Sequence, residues 1–413
     1  MTIDNEVNSE LLNYIKVGLR RNILLIVFQV CILLLLHSSG IAQEASRDSV
    51  GVVQPGKTSV NGYFSDLVSP QYNNFLAQWK TTNYLNQRLN FNWTPSRHFT
   101  FIAQLRSRLI YNQTGTDTSF INIHDGFVWQ KNKNYFNTNF DRFNLKFTQG
   151  KFEITAGRQR INWGQSFVWN PNDIFNSYSY FDFDYIERPG SDAMRLQYYN
   201  SFTSSTELAM KIDRFNKITA AGLYRFNHSG WDYQFLGGLL SSEDAVVGAG
   251  FTGNIKSLSI YGEGSYFRPL KNFADTTALA MLDLGCSKTF GNSLSLQFEG
   301  LYVSKEMNIN SLFNFFQTTL DVRKIAFAKI NLFGSISYPL TPLINGSLAL
   351  MWFPDTGGIN GFYTGPSFDF SLGNNLGLSL IAQYFNGNFP DAVSQKLQKQ
   401  ALMLGFVRLK WNF

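Results

Sequence analysis

The residues best suited to chemistry are crowded into one stretch, Gly157–Gly190, which reads GRQRINWGQSFVWNPNDIFNSYSYFDFDYIERPG. Arg158 and Arg160 open it, Asp173, Asp182, Asp184 and Glu187 follow among aromatic rings, Arg188 closes it, and Asp192 and Arg195 lie just beyond. Such a set could do three things. Paired carboxylates could cleave a glycosidic bond, but only their separation would decide it, and sequence does not supply a separation. A carboxylate cage could hold Ca²⁺, but the ligand spacing of a calcium-binding loop is absent. Oppositely charged side chains could also bind one another and fix a loop, since buried charges persist when paired. Of the four histidines, His37 lies in the N-terminal apolar region and His98 and His228 sit beside predicted turns, leaving His124-Asp125 as one adjacent pair. No G-x-S-x-G elbow, H-E-x-x-H pair or Gly-rich phosphate loop occurs. Salt bridging is the expectation, with no catalytic residue, no metal and no cofactor.

The chain that positions these residues has 413 of them, 16% aromatic and only 15% charged. Ordinary soluble domains carry roughly a quarter charged residues. The net charge is +6, and removal of Met1–Ala42 leaves it unchanged, because Lys16, Arg20 and Arg21 balance Asp4, Glu6 and Glu10. No basic cluster lies beyond the N-terminus, so nucleic acid is excluded as a partner on electrostatic grounds. The apolar run ILLIVFQVCILLLL, Ile23–Leu36, follows those three cations and precedes Gly40 and Ala42 at the spacing of a cleavage site. It is shorter than the roughly 20 residues of a membrane-spanning helix. The pattern predicts a cleaved signal peptide over 1–42. Cys31 would leave with it, and Cys286 would have no partner for a disulfide.

Beyond Ala42 the dominant period is two. Leu294, Leu296, Phe298, Gly300 and Tyr302 share one face, as do Thr206, Leu208, Met210 and Ile212, and as do Leu376, Leu378, Leu380, Ala382 and Tyr384. That alternation places one face in an apolar medium and the other in a polar one. Arg106, Arg108, Glu153, Glu207, Lys211, Glu263, Asp283, Glu299 and Arg323 fall in such runs and would face a watery lumen. Short turns, such as NHSG at Asn227 and FGNS at Phe290, roughly alternate with longer segments, among them Gly164–Gly190 and Ser304–Thr318. Membrane β-barrels have this asymmetry. The chain ends in the amphipathic strand KQALMLGFVRLKWNF, with Trp411 and Phe413 on its apolar face as an assembly signal for the barrel assembly machinery.

The expected fold is all-β: a transmembrane antiparallel barrel of about 16–18 strands. Residues 43–70 are expected to form a periplasmic N-terminal extension and 71–413 the barrel, in the outer membrane of a Gram-negative cell and in contact with its lipid. The long aromatic segment Gly164–Gly190 needs an apolar partner. Two placements stay open: folded inward as a constriction, or resting on the barrel rim. In the inward case Gly157 would mark a bulge that turns Arg158 and Arg160 into the lumen, where they, Arg188 and Arg195 would pair with Asp173, Asp182, Asp184, Glu187 and Asp192. Otherwise Arg158 and Arg160 lie beyond the apolar band, and Arg106 and Arg108 line the pore in either case.

The run GRQRINWG…WNPNDIFN…FDFDYIERPGSDAMRLQYY resembles porin-like outer-membrane barrels. More remotely it is similar to alginate-export and related anion-channel porins, where a strand bearing G-R-Q/R-x-x-W-G precedes a loop with an N-P-x-D-like turn. The resemblance covers Gly157–Tyr199 and implies a loop-narrowed pore. In that group a lumen rich in arginine attracts a polyanion; Arg158, Arg160 and Arg195 match, while the acids around them depart from it. The function expected is a channel for small polar or charged solutes. Export of an exopolysaccharide and a non-conducting structural or adhesion barrel are the alternatives, and the oligomeric state stays open.

Overall fold

The computed structural model describes residues 56–413 apart from 74–77, 113–125, 132–133, 178–179, 182–186, 189, 272, 274–277, 306–320, 327, 392–393 and 395. Asp182 and Asp184 and the signal peptide lie outside the described residues. Nineteen strands are present among them: β1 (Lys57–Asn73), β2 (Gln78–Ser96), β3 (Phe99–Asn112), β4 (Phe127–Lys131), β5 (Asn134–Gln149), β6 (Phe152–Gln159), β7 (Ser191–Ser201), β8 (Ser204–Ile212), β9 (Ile218–His228), β10 (Trp231–Leu240), β11 (Asp244–Ile255), β12 (Leu258–Pro269), β13 (Leu279–Thr289), β14 (Ser295–Val303), β15 (Ile330–Thr341), β16 (Ile344–Phe353), β17 (Asn360–Ser371), β18 (Leu376–Pro390) and β19 (Leu397–Asn412). The wall closes because β1 pairs with β19 on one side and with β2 on the other. The short β4 pairs with β5 beside the β3–β5 ladder, so eighteen strands form the barrel, all antiparallel to their neighbours. Closure leaves no edge strand with unpaired backbone groups, a requirement inside a bilayer.

The alternation resolves into an inverted protein. Leu208, Met210, Phe298, Leu284, Leu380, Val407 and Trp411 point outward and are exposed, while Glu207, Glu263, Glu299, Arg88 and Gln383 on the other parity are buried. Tight turns lie at one end. At the β9–β10 turn Ser229 and Gly230 both have positive φ, 52° and 79°, the backbone that a right-twisted two-residue hairpin needs.

Three expectations are corrected. The barrel starts at Lys57, so residues 57–70 belong to β1 and are not an extension. Asp66 and Pro70 interrupt the apolar row there, which hides the strand. The β5–β6 ladder runs past Gly157 without a shift, and the bulge sits instead at Asp141, where Gln104 pairs with Arg142 and Leu105 with Phe140. Gly157 serves close approach: it has φ +111°, and a Cβ there would meet the Phe143 carbonyl oxygen at 2.3 Å. Arg323 is not in a strand but in the 3-10 turn Val322–Lys324, where it binds Asp321, Glu243 and Asp244.

Candidate functional site

Between β6 and β7 the chain leaves the wall and meets inward side chains of β8, β10, β12, β14, β15, β17 and β18. Its aromatic residues explain the burial. Ile161, Trp163, Val168, Trp169, Ile174 and Phe175 are all 3% exposed or less. Trp163 packs edge-on against Phe175 at 4.9 Å, Tyr180 against Phe333 at 5.3 Å, and Phe181 against Phe385 at 5.1 Å. Rings in such geometry add to the area they bury. The turn is tight: a Cβ at Gly164 would lie 2.2 Å from the Asn170 side-chain oxygen.

Aromatic packing alone would leave the irregular backbone without hydrogen-bond partners, at a cost for each buried group. Carboxylates on the wall supply them. Glu299 on β14 accepts from three successive backbone N–H groups: Phe167 at 3.1 Å, Val168 at 2.9 Å and Trp169 at 2.8 Å. Glu263 on β12 accepts from the N–H of Gln165 at 2.6 Å and of Asn172 at 3.2 Å. Glu207 on β8 accepts from the Trp163 indole at 3.0 Å and is held by Arg195 at 2.8 Å. Successive N–H groups form a concavity that an acceptor oxygen fills. Gln234 donates to the Trp163 carbonyl at 2.6 Å, and Lys211 donates to the Phe175 carbonyl.

The charges expected to pair within the segment are distributed differently. Arg158 forms a two-point bridge with Asp192, its direct partner across β6–β7, at 2.8 and 2.6 Å. Asp192 shares its face with the exposed Met194, so this pair lies on the outside, with Asp192 60% exposed. With no bulge at Gly157, parity keeps Arg158 outward. Glu187 accepts from the Tyr63 hydroxyl at 3.0 Å and lies 3.4 Å from Arg88. Arg88 also binds Asp141, which the bulge turns inward, and donates to Gln104 at 2.6 Å. The Arg188 carbonyl accepts from Arg142 at 2.7 Å. Asp173 is 1% exposed, and neither of its oxygens accepts a hydrogen bond. Burial pushes its pKa from the ordinary carboxylate value up to about 7, although Arg188, Arg160 and Lys211 act in the other direction.

Away from the acids that hold the segment, the inner face of β19, β2 and β3 carries Arg408, Lys410, Arg88, Arg106 and Arg108, with Lys410 over the Tyr63 ring at 4.1 Å. Arg106 and Arg108 are both under 9% exposed, at inward positions as their parity predicts. Sequence pattern placed Glu207, Glu263 and Glu299 inward without revealing them as anchors. Their signal is an acid at the polar parity inside an otherwise apolar run, as in QFEGL at Gln297–Leu301. Arg88, Asp141 and Tyr63 carried no such signal. Among the described residues no three acidic, histidine or cysteine side chains converge as a metal site would require.

No protein-family profile matches the chain and no curated protein is similar to it. Solved structures of Pseudomonas aeruginosa outer-membrane proteins are. OpdQ aligns over 86% of this chain and 98% of its own, with a TM-score of 0.59 and 6% identity. OpdK aligns over 86% and 99%, at 0.57 and 10%. OccK11 (OpdR) aligns over 88% and 98%, at 0.56 and 8%. At these identities the likeness is one of fold, and it extends over nearly the whole length of each relative.

Proposed function

We propose that the protein is a porin of the Gram-negative outer membrane, passing small solutes through a lumen that residues 160–190 narrow. One observation carries this: the segment is bound by acids on the β8–β14 side of the wall, while the arginines and lysine of β19, β2 and β3 line another side. A solute would then pass between a packed aromatic segment and a basic wall. Fixed positive charge beside a restricted passage raises the local concentration of anions. Small carboxylates are therefore the first solutes to try. One similar structure, OpdK, was determined with vanillate. Among the described residues of the site no nucleophile and base lie in hydrogen-bond reach of each other, and the proposal is of a conduit and not an enzyme.

The test is conductance of the purified protein in planar bilayers under a salt gradient. Steps with an anion-favouring reversal potential are expected, reduced by vanillate. A deletion of residues 165–188 should raise the single-channel conductance. Absence of any steps would overturn the channel, a cation-favouring potential would overturn the anion preference alone, and unchanged conductance on deletion would overturn the narrowing role.

A further inference from the structure

Intact outer walls of membrane barrels present apolar side chains to lipid, and on β8 and β13 the outward rows read Leu208, Met210, Ile212 and Leu282, Leu284. Besides the Arg158–Asp192 pair at the end of β6, a patch on β1 and β2 also breaks that rule. Asp66 faces outward and is exposed, with Leu85 of β2 and Leu409 of β19 as its direct cross-strand neighbours, both exposed as well. Asn83 and Gln87 flank Leu85 on the same face, one pleat to each side. Asp66, Leu85 and Asn83 lie between two aromatic clusters of the outer surface, Phe64–Trp411–Phe413 and Tyr72–Trp79, with Gln87 level with Phe64. Asp66 therefore lies within the apolar band, where an ionisable side chain marks function or a partner by default. Among the described residues the Asn83 oxygen is buried and unbonded, and Asp66 and Gln87 make no side-chain hydrogen bond. The next outward polar pair shows the contrast, since the hydroxyls of Ser107 and Thr138 satisfy each other at 2.9 Å.

We infer that this patch is a two-fold interface between two copies of the barrel, closed by Asp66 of one copy against Gln87 and Asn83 of the other. The register makes it self-complementary. Asp66 and Leu85 are opposite one another across β1–β2. A two-fold axis along the membrane normal, between these strands, brings each close to the other, offset only by the tilt of the strands. Asp66 then faces Leu85 of the second copy, with the Gln87 and Asn83 carboxamides of that copy on either side as donors. The same operation gives the second Asp66 the same partners and keeps the two carboxylates apart. An isologous contact is one patch meeting itself, and polar side chains bind across membrane interfaces where lipid tails offer no hydrogen bond.

The test uses the full-length barrel in lipid nanodiscs and in the native membrane, with Cys286→Ser as the background to remove the free thiol. Copies carrying Asp66→Cys are co-expressed with copies carrying Leu85→Cys and oxidised. A cross-linked dimer several-fold more abundant than from either variant alone, or from Leu282→Cys on another part of the wall, is expected. The triple variant Asp66→Leu, Asn83→Leu, Gln87→Leu should reduce the particle mass by light scattering from two copies to one, with heat-modifiable gel mobility reporting that the barrel folds. If the triple variant does not fold, the cross-linking result decides by itself. A monomeric parent, a trimer, a triple variant that stays dimeric, or cross-linking no better than the Leu282→Cys control would each overturn the inference.

Discussion

Glu299 and Trp169, 130 positions apart in sequence, meet as carboxylate and backbone N–H at 2.8 Å. The same carboxylate takes the two preceding N–H groups, so one side chain fixes three residues of the inner segment. A hydrogen bond contributes about 0.5–1.5 kcal/mol net, and a donor left buried without an acceptor costs about 1–3 kcal/mol. Glu299→Ala should therefore release the segment while the wall persists. Limited proteolysis should cut within 164–177, and channel recordings should become noisier and larger. Glu299→Gln, which keeps one acceptor oxygen, should lie between the two. A Glu299→Ala protein as protease-resistant as the parent would overturn this role.

The arginines divide into two classes with different expected effects. Arg158 pairs with a 60% exposed Asp192 on the outer face, where an ion pair is worth about 0–1 kcal/mol. Arg158→Ala should leave conductance and thermal stability within error of the parent. Arg88 is 3% exposed beside Asp141 at 2%, so Arg88→Ala removes a buried partner of this carboxylate, at up to about 3–5 kcal/mol. A fall in the unfolding temperature for Arg88→Ala and none for Arg158→Ala is the expected pattern. Equal falls would count against the outward assignment.

Docking of the segment should depend on pH through Asp173. Its pKa when docked is raised to about 7 by burial, above the roughly 4 of a solvated carboxyl. The docked state therefore holds the proton more tightly. Docking is strongest below about pH 4, weakens progressively as the pH rises to about 7, and changes little beyond it. Hydrogen exchange of the backbone amides of residues 161–176 should be faster at pH 8 than at pH 5 after correction for intrinsic rates. Asp173→Asn should reduce that difference, and a difference undiminished in Asp173→Asn would point to another group.

Phe413 closes the barrel. Its N–H donates to the Gly62 carbonyl and its carbonyl accepts from the Gly62 N–H, both at 3.0 Å, while its ring packs on Phe64 at 5.7 Å and Trp411 at 5.6 Å. Deletion of Phe413 removes two ladder bonds at the β1–β19 seam as well as the terminal aromatic side chain. Lower outer-membrane levels and a lower temperature of heat-modification are expected. Parent levels with a lower temperature would separate the seam from the assembly signal.

The sequence by itself determined the architecture. Alternation is a local property of the backbone, with successive side chains on opposite faces, so Leu208 and Glu207 declare two environments without knowledge of any distant residue. It declared Arg106, Arg108, Glu263 and Glu299 inward for the same reason. It missed β1 as a strand because Asp66 stands at an apolar parity, and that residue needs the assembled wall before its setting can be seen. Tertiary structure decided who meets whom. Glu299 binds backbone N–H groups, which every residue but proline carries, so nothing in SFVWN marks them as its partners. Arg158 was drawn away from Asp173 by the register of β6 on β7, which sets it opposite Asp192 on the outer face. Register and closure are relations between strands far apart in the chain, and they place each charge only once the β1–β19 seam has formed.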